Sequence, residues 1–225
     1  DPYGMGGTWD NDTTFLGTDP TYTFSGNTGT ITVFVTDSIG CVGSDSIVIQ
    51  NIISGCTDTN NLVIGDTFGG GIIFYLDGSG SGLISSPIDQ AGYGAAGAYW
   101  GCFYFDVPGA DGTAIGTGAQ NTVDIVNAGC GIAADLCANL TLGGYSDWFL
   151  PSKDELNEMY LNIGQGSKRQ NKRGLGNVGG FANAVYWSSS EYGLSVAWYH
   201  DFAIGFQYGG TNKNNNYNVR AVRAF

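Results

Sequence analysis

Nucleophilic catalysis needs a base held beside a serine or cysteine, and this sequence contains a single imidazole, His200. His200 falls in a stretch of irregular composition and is read as a surface histidine rather than a catalytic one. Asp154, Glu155 and Glu158 offer carboxylates for acid–base work. However, Ser152-Lys153-Asp154-Glu155 spells the S-x-x-E capping box, and acids in a first helical turn suit the helix dipole. None of the cysteines (Cys41, Cys56, Cys102, Cys130, Cys137) forms a C-x-x-C pair, so one histidine leaves any zinc set incomplete. Asp10-Asn11-Asp12 lacks the remaining positions of an EF-hand loop and reads as a polar turn. Gly78-Ser79-Gly80-Ser81-Gly82 lacks the Lys-Ser/Thr of a phosphate loop. The chemistry-bearing residues therefore point to a binding protein without metal or cofactor, not to an enzyme.

The one basic cluster is Lys168-Arg169-Gln170-Asn171-Lys172-Arg173, where Lys168, Arg169, Lys172 and Arg173 could hold sulfated glycans. The rest of the charge is lopsided. Residues 1–152 carry fifteen Asp and no cation, whereas residues 153–225 carry eight cations against five acids. An acidic, cation-free first two-thirds repels phosphate backbones, which argues against nucleic acid as a partner. No run approaches the roughly 18 apolar residues of a membrane helix, and no basic-then-apolar leader opens the segment. Disulfides in an oxidising compartment are the better reading of the cysteines. Cys102–Cys130 would close a long loop and leave Cys137 buried on a helix; Cys130–Cys137 is the rival pairing.

The 38 glycines, with abundant Asn, Ser, Thr and Asp, suit a turn-rich fold. Thr30–Thr36 and Ser46–Ile49 alternate as strands about an Asp37-Ser38-Ile39-Gly40 turn. A second unit starts with the apolar strand around Ile72–Leu76, and Leu83-Ile84-Ser85 is its hairpin partner. Residues 86–118 read as loop. Helices are expected over Thr122–Asn127 and Gly131–Leu140. A stronger helix signal begins after Ser152, where Leu156, Met159, Tyr160 and Ile163 share one face and Gly164 ends the run. Short strands follow at Val185–Trp187, Ala197–Tyr199 and Val219–Arg223.

Tyr22-Thr23-Phe24, Val33-Phe34-Val35-Thr36-Asp37 and Gly40-Cys41 resemble the last strands of PKD-like and immunoglobulin-like modules. The earlier strands of such a module are not placed in Asp1–Asp19. The chain is thus expected to begin inside one, with Cys41 paired upstream of Asp1 or with Cys56. Further motifs resemble the C-terminal domain of collagen-like bacterial adhesins, over roughly Gly65–Phe225. They are Gly70-Gly71-Ile72-Ile73-Phe74-Tyr75, Gly143–Leu156, Tyr186-Trp187-Ser188-Ser189-Ser190-Glu191 and Val219-Arg220-Ala221-Val222-Arg223. The resemblance implies an α+β, C-type-lectin-like fold over residues 62–225, joined by a linker at 53–61 to a partial all-β immunoglobulin-like (PKD-like) module at 1–52. It also implies adhesion or ligand binding at a cell or virion surface. No Glu-Pro-Asn or Trp-Asn-Asp calcium motif is present, so calcium-dependent sugar binding is not carried over. Formylglycine-generating enzymes share the architecture but use a copper site near the C-terminus built from cysteine, and no cysteine follows Cys137.

The last forty or so residues are similar to the variable region of proteins diversified by retroelements that mutate adenines. Such mutation turns Asn codons into codons for any residue except Glu, Lys, Gln, Met and Trp. Gly193, Leu194, Ser195, Val196, Tyr199, His200, Asp201, Ala203, Ile204, Phe206, Tyr208, Gly209, Gly210 and Thr211 all belong to the permitted set. They are interleaved with scaffold-like Ala197, Trp198, Phe202, Gly205, Gln207 and Lys213, and Asn212, Asn214, Asn215, Asn216 and Asn218 would be unmutated template. Trp187 and Trp198 are expected to anchor the strands to the core, with alternation presenting the variable side chains on one outer face. That mixture resembles a paratope, and the expected ligand is a protein. A fixed glycan-binding adhesin using the basic loop, or a subunit of a longer surface or virion fibre, is the alternative.

Overall fold

The computed structural model describes residues 62–90, 97–167 and 175–225 in full, and four strands before them as backbone. The chain divides into two compact units, Asp1–Asp58 and Thr59–Phe225.

In the first unit, β1 (Gly7–Asp10), β2 (Phe15–Gly17), β3 (Thr28–Thr36) and β4 (Val42–Gln50) form an antiparallel sheet in the order β2-β1-β3-β4. The β3–β4 hairpin is the one its alternating sequence predicts, paired without a break from Thr28 opposite Gln50 to Thr36 opposite Val42. Two strands lie before Asp19, where the sequence placed none. β1 pairs with β3 and β2 with β1, although both are too short to show a period of their own. Tyr22–Phe24, Cys41 and Cys56 lie outside the described residues, as does the expected linker at 53–61.

The second unit is α+β. One antiparallel sheet has the order β11-β7-β6-β5, from β5 (Thr67–Phe68), β6 (Gly71–Leu76), β7 (Gly82–Ser85) and β11 (Val222–Ala224). The last strand thus returns to pair with the opening hairpin, Val222 opposite Ser85 and Ala224 opposite Leu83. A smaller sheet, β10-β9-β8, is built from β8 (Val185–Gly193), β9 (Val196–Asp201) and β10 (Phe206–Asn212). Between them come α1 (Gly118–Asn127), α2 (Ile132–Ala138) and α3 (Lys153–Asn162). The break at Gly129-Cys130-Gly131 separates α1 from α2 as the glycines predict, while α1 starts four residues before the expected Thr122. Of the expected Val219–Arg223 strand only the end joins a sheet; Val219 makes an isolated bridge to Gln90.

The capping box at α3 is present. The Glu155 amide donates to Ser152 Oγ at 3.3 Å, and the Ser152 amide donates back to Glu155 Oε2 at 2.7 Å. The second Glu155 oxygen accepts the Gly116 amide at 2.7 Å, so one buried carboxylate ties the long 97–117 loop to the helix start. Burial raises the Glu155 pKa, against the lowering pull of these amide donors. Asp154 and Glu158 are likewise spoken for: Asp154 pairs with Lys153 at 2.8 Å, and Glu158 accepts from Asn162 at 2.7 Å.

Two apolar clusters hold the unit. One joins Ile73, Ile84, Trp100, Ile125, Leu150, Trp187 and Val219. The other joins Phe74, Leu156, Met159, Ile163, Phe181, Tyr186, Phe202 and Val222 under α3. Full burial of side chains of this size contributes about 1.5–3 kcal/mol each, before the entropy of ordering them. A disulfide joins Cys102 to Cys130, settling the pairing left open by the sequence, and Cys137 is a buried free thiol on α2. Burial pushes that thiol's pKa well up, which keeps it protonated and unreactive. No helix among the described residues is long and apolar enough to cross a membrane.

Candidate ligand-binding face

β9 is the central strand of the small sheet, and its alternation sorts the C-terminal segment onto two faces. Tyr186 on β8, His200 on β9 and Gln207 on β10 are paired neighbours and lie toward α3. There His200 contacts the Tyr160 and Phe202 rings at 4.6 and 5.0 Å, and Gln207 donates to the Lys153 carbonyl. On the opposite face Tyr199 is registered with Tyr208, and Asp201 with Phe206.

That opposite face carries a ladder of aromatic contacts from the core to solvent. Buried Trp187 meets Tyr217 at 4.6 Å, Tyr217 meets Tyr199 at 5.6 Å, Tyr199 meets Tyr208 at 6.2 Å, and Tyr208 stacks with Phe206 at 6.3 Å. The outer rungs are open. Phe206 is 54 % exposed and Tyr208 52 %, while Ile204 in the β9–β10 turn is 70 % exposed and Leu194 in the β8–β9 turn 58 %. Apolar side chains of this size are therefore not core at these positions.

The fourteen segment residues named from the sequence do not form one patch. Tyr199, Asp201, Ala203, Ile204, Phe206 and Tyr208 gather at the β9–β10 end. Gly193, Leu194, Ser195 and Val196 sit at the β8–β9 turn, at the other end of β9. Gly210 is exposed in the irregular pairing between Tyr208 and Thr211. Three residues are enclosed. His200 is 1 % exposed, which corrects its reading as a surface histidine, and Thr211 is buried with its hydroxyl against the Tyr217 hydroxyl. Gly209 is buried as well, and a Cβ there would lie 2.7 Å from Tyr192 and 2.8 Å from Trp198. Neither ring nitrogen of His200 has a partner among the described residues, and burial lowers its pKa to about 4, partly opposed by the charge of Asp201. Trp198 also departs from expectation: Trp187 is in the core, but Trp198 is half-buried, edge-on to Tyr192 and under the Lys153 ammonium.

A feature that sequence reasoning missed fixes the β8–β9 turn. Lys213 is wholly buried and contacts the Glu191 carboxylate. Its ammonium also donates to the carbonyls of Phe105 at 2.9 Å, Leu194 at 3.2 Å and Cys102 at 3.4 Å, and lies 4.5 Å from the Trp100 ring centre. Glu191 accepts the Val107 amide at 3.0 Å. One ion pair therefore joins the turn, the disulfide-bearing loop and the sheet. Its signal in the sequence is faint: between Gly174 and Val219 the charged residues are only Glu191, Asp201 and Lys213. The basic cluster Lys168, Arg169, Lys172 and Arg173 lies outside the described residues.

A disulfide-pinned loop, a returning C-terminal strand and a small sheet carrying exposed residues at its two turns are consistent with a C-type-lectin-like domain. Residues 112–223 match the family described as the Lcl C-terminal domain, the C-type-lectin-like domain of collagen-like adhesins. Strands β5, β6 and β7 and the Cys102 end of the disulfide lie before the matched residues. No curated protein matches the chain.

Proposed function

We propose that the second unit is an extracellular recognition domain, not an enzyme, and that it binds a protein ligand through its C-terminal sheet. The observation that carries this reading is the exposure of Leu194, Ile204, Phe206 and Tyr208 on a framework that fixes every strand beneath them. The adhesin family of residues 112–223 supports it, as does a disulfide, which persists in oxidising compartments. The domain is displayed on a cell or virion surface, and its exposed positions are diversified by adenine-directed mutation.

The gene tests the diversification. An adjacent reverse transcriptase, with an imperfect repeat of codons 185–225 that differs only at adenines, is the expected finding. Their absence overturns diversification and leaves a fixed adhesin or fibre subunit. Binding itself is tested by affinity capture with the wild-type chain and with a Tyr208→Ala, Phe206→Ala double variant. A ligand retained equally by both places the site elsewhere, with the Lys168–Arg173 loop and a sulfated glycan next in line.

A further inference from the structure

The protein holds its own cations in one repeated way. Lys153 lies 5.2 Å from the Trp198 ring centre and pairs with Asp154. Lys213 lies over Trp100 and pairs with Glu191. Arg220 lies 4.2 Å from the Phe181 ring and pairs with Asp89 at 2.6 Å, and Arg223 lies 3.6 Å from the Tyr145 ring and pairs with Asp147. Among the described residues, every Lys and Arg thus has both an aromatic face and a carboxylate. The ring quadrupole attracts the cation and the carboxylate neutralises it.

The same parts also occur on the exposed face of the small sheet, with no cation of the described residues on them. Tyr199, Tyr208 and Phe206 form the outer rungs of the aromatic ladder, and Asp201 stands opposite Phe206 in the register. The Ala203 amide donates to Asp201 Oδ1 at 2.9 Å, which fixes the carboxylate and leaves Oδ2 without a partner among the described residues. The Tyr199 hydroxyl is held above its ordinary pKa, first by burial, then by the charges around it, Asp201 included. Lys213, the only cation between Gly174 and Val219, is buried and neutralised by Glu191. The charge this stretch of chain shows to solvent is that of Asp201.

We propose that Tyr199, Asp201, Phe206 and Tyr208 form a receptor for one organic cation, an arginine or lysine side chain presented by a protein partner. This rests on the reading of the C-terminal sheet as the binding face. A protein is the source because the rings stand on an open strip. A free small cation would keep most of its surface in water, whereas small-molecule sites enclose most of their ligand. A protein surface supplies the missing wall and also covers Ile204. The charge of Asp201 repels sulfated glycans from the same strip.

The test is an NMR titration of the whole chain with acetyl-Gly-Arg-Gly-amide, following the ring signals of Tyr199, Phe206 and Tyr208. The control peptide carries citrulline, which keeps the shape of arginine without its charge. The arginine peptide is expected to shift these signals and the citrulline peptide to leave them. Asp201→Asn and Tyr208→Ala should each weaken binding about tenfold, between the exposed and desolvated values of a cation–ring contact for Tyr208 and in the range of a charge-assisted hydrogen bond for Asp201. Asp106→Asn makes the same change in net charge at another exposed site and should leave binding intact, and Tyr208→Phe should retain it. Equal shifts from the citrulline peptide, or equal loss in Asp106→Asn, overturn the proposal. If the arginine peptide leaves the rings unmoved while a captured protein ligand is still lost in the Tyr208→Ala, Phe206→Ala variant, the cation receptor falls and the binding face stands.

Discussion

The Lys213 ammonium and the Glu191 carboxylate meet with both side chains buried, and three backbone carbonyls from two separate loops converge on the same nitrogen. The pair acts as a three-way tie between β8, the turn at Leu194 and the loop closed by Cys102. Its energetics follow from its burial. Desolvating two charges offsets much of their attraction, but leaving one of them alone is costly.

Removing a single partner should therefore be worse than removing both. Lys213→Met leaves Glu191 buried with only the Val107 amide, and is expected to cost about 3–5 kcal/mol. The double variant Lys213→Met, Glu191→Leu should recover part of that loss. Urea denaturation of wild type, both single variants and the double variant gives the coupling directly. Simple addition of the two single costs would show that the pair is not a unit.

His200 predicts an acid dependence with a definite sign. The folded protein holds the imidazole neutral, with its pKa lowered to about 4 from an ordinary 6.5. The unfolded chain therefore binds the proton more readily. The stabilising effect is complete above pH 6.5, is lost as pH falls from there toward 4, and is constant below both values. The full loss is roughly 3 kcal/mol for a shift of this size. Thermal melts of wild type and His200→Leu across this window should diverge, with wild type falling more steeply as the pH drops. Parallel curves would mean that His200 finds a partner for its proton in the fold.

The disulfide spans 28 residues of chain. By loop-closure entropy, a ring of that length stabilises by about 3–4 kcal/mol. Cys102→Ala with Cys130→Ala should lower the melting temperature and loosen the 102–107 loop, seen as faster amide exchange at Val107. Mass spectrometry after alkylation under native conditions should find Cys137 unmodified until the domain unfolds. Alkylation of Cys137 at the rate of an exposed thiol would contradict its burial.

Diversification makes a prediction about individual codons. If the face is diversified, Leu194, Ile204, Phe206 and Tyr208, which are exposed, should differ from a template repeat. His200, Gly209 and Thr211 are enclosed and should match it, since a larger residue at Gly209 would collide with Tyr192 and Trp198. Comparison of the two repeats checks this, and mismatches concentrated at the three enclosed positions would argue against a folded, selected face.

Much of the frame was readable because its signals are local. Ser152 and Glu155 announce the start of α3 within four residues, and the Thr30–Thr36 alternation announces a strand by itself. What was not readable depends on partners distant in sequence. Glu191 and Lys213 are twenty-two positions apart, and nothing between them marks the pair. The burial of His200 was within reach. A strand sends neighbours to opposite faces, so Tyr199 and Asp201 on the outer face place His200 inside. Reading 193–211 as one exposed surface ignored that period, while the strands at Gly7–Asp10 and Phe15–Gly17 were too short to display it.

The two turns of the small sheet lie at opposite ends of β9, a strand of six residues, which at about 3.3 Å per residue puts them roughly 20 Å apart. At that separation, substitutions near Leu194 and near Ile204 are expected to combine additively. Were the face diversified as proposed, this would turn one large combinatorial problem into two small ones. A gain found at one turn survives whatever is tried at the other.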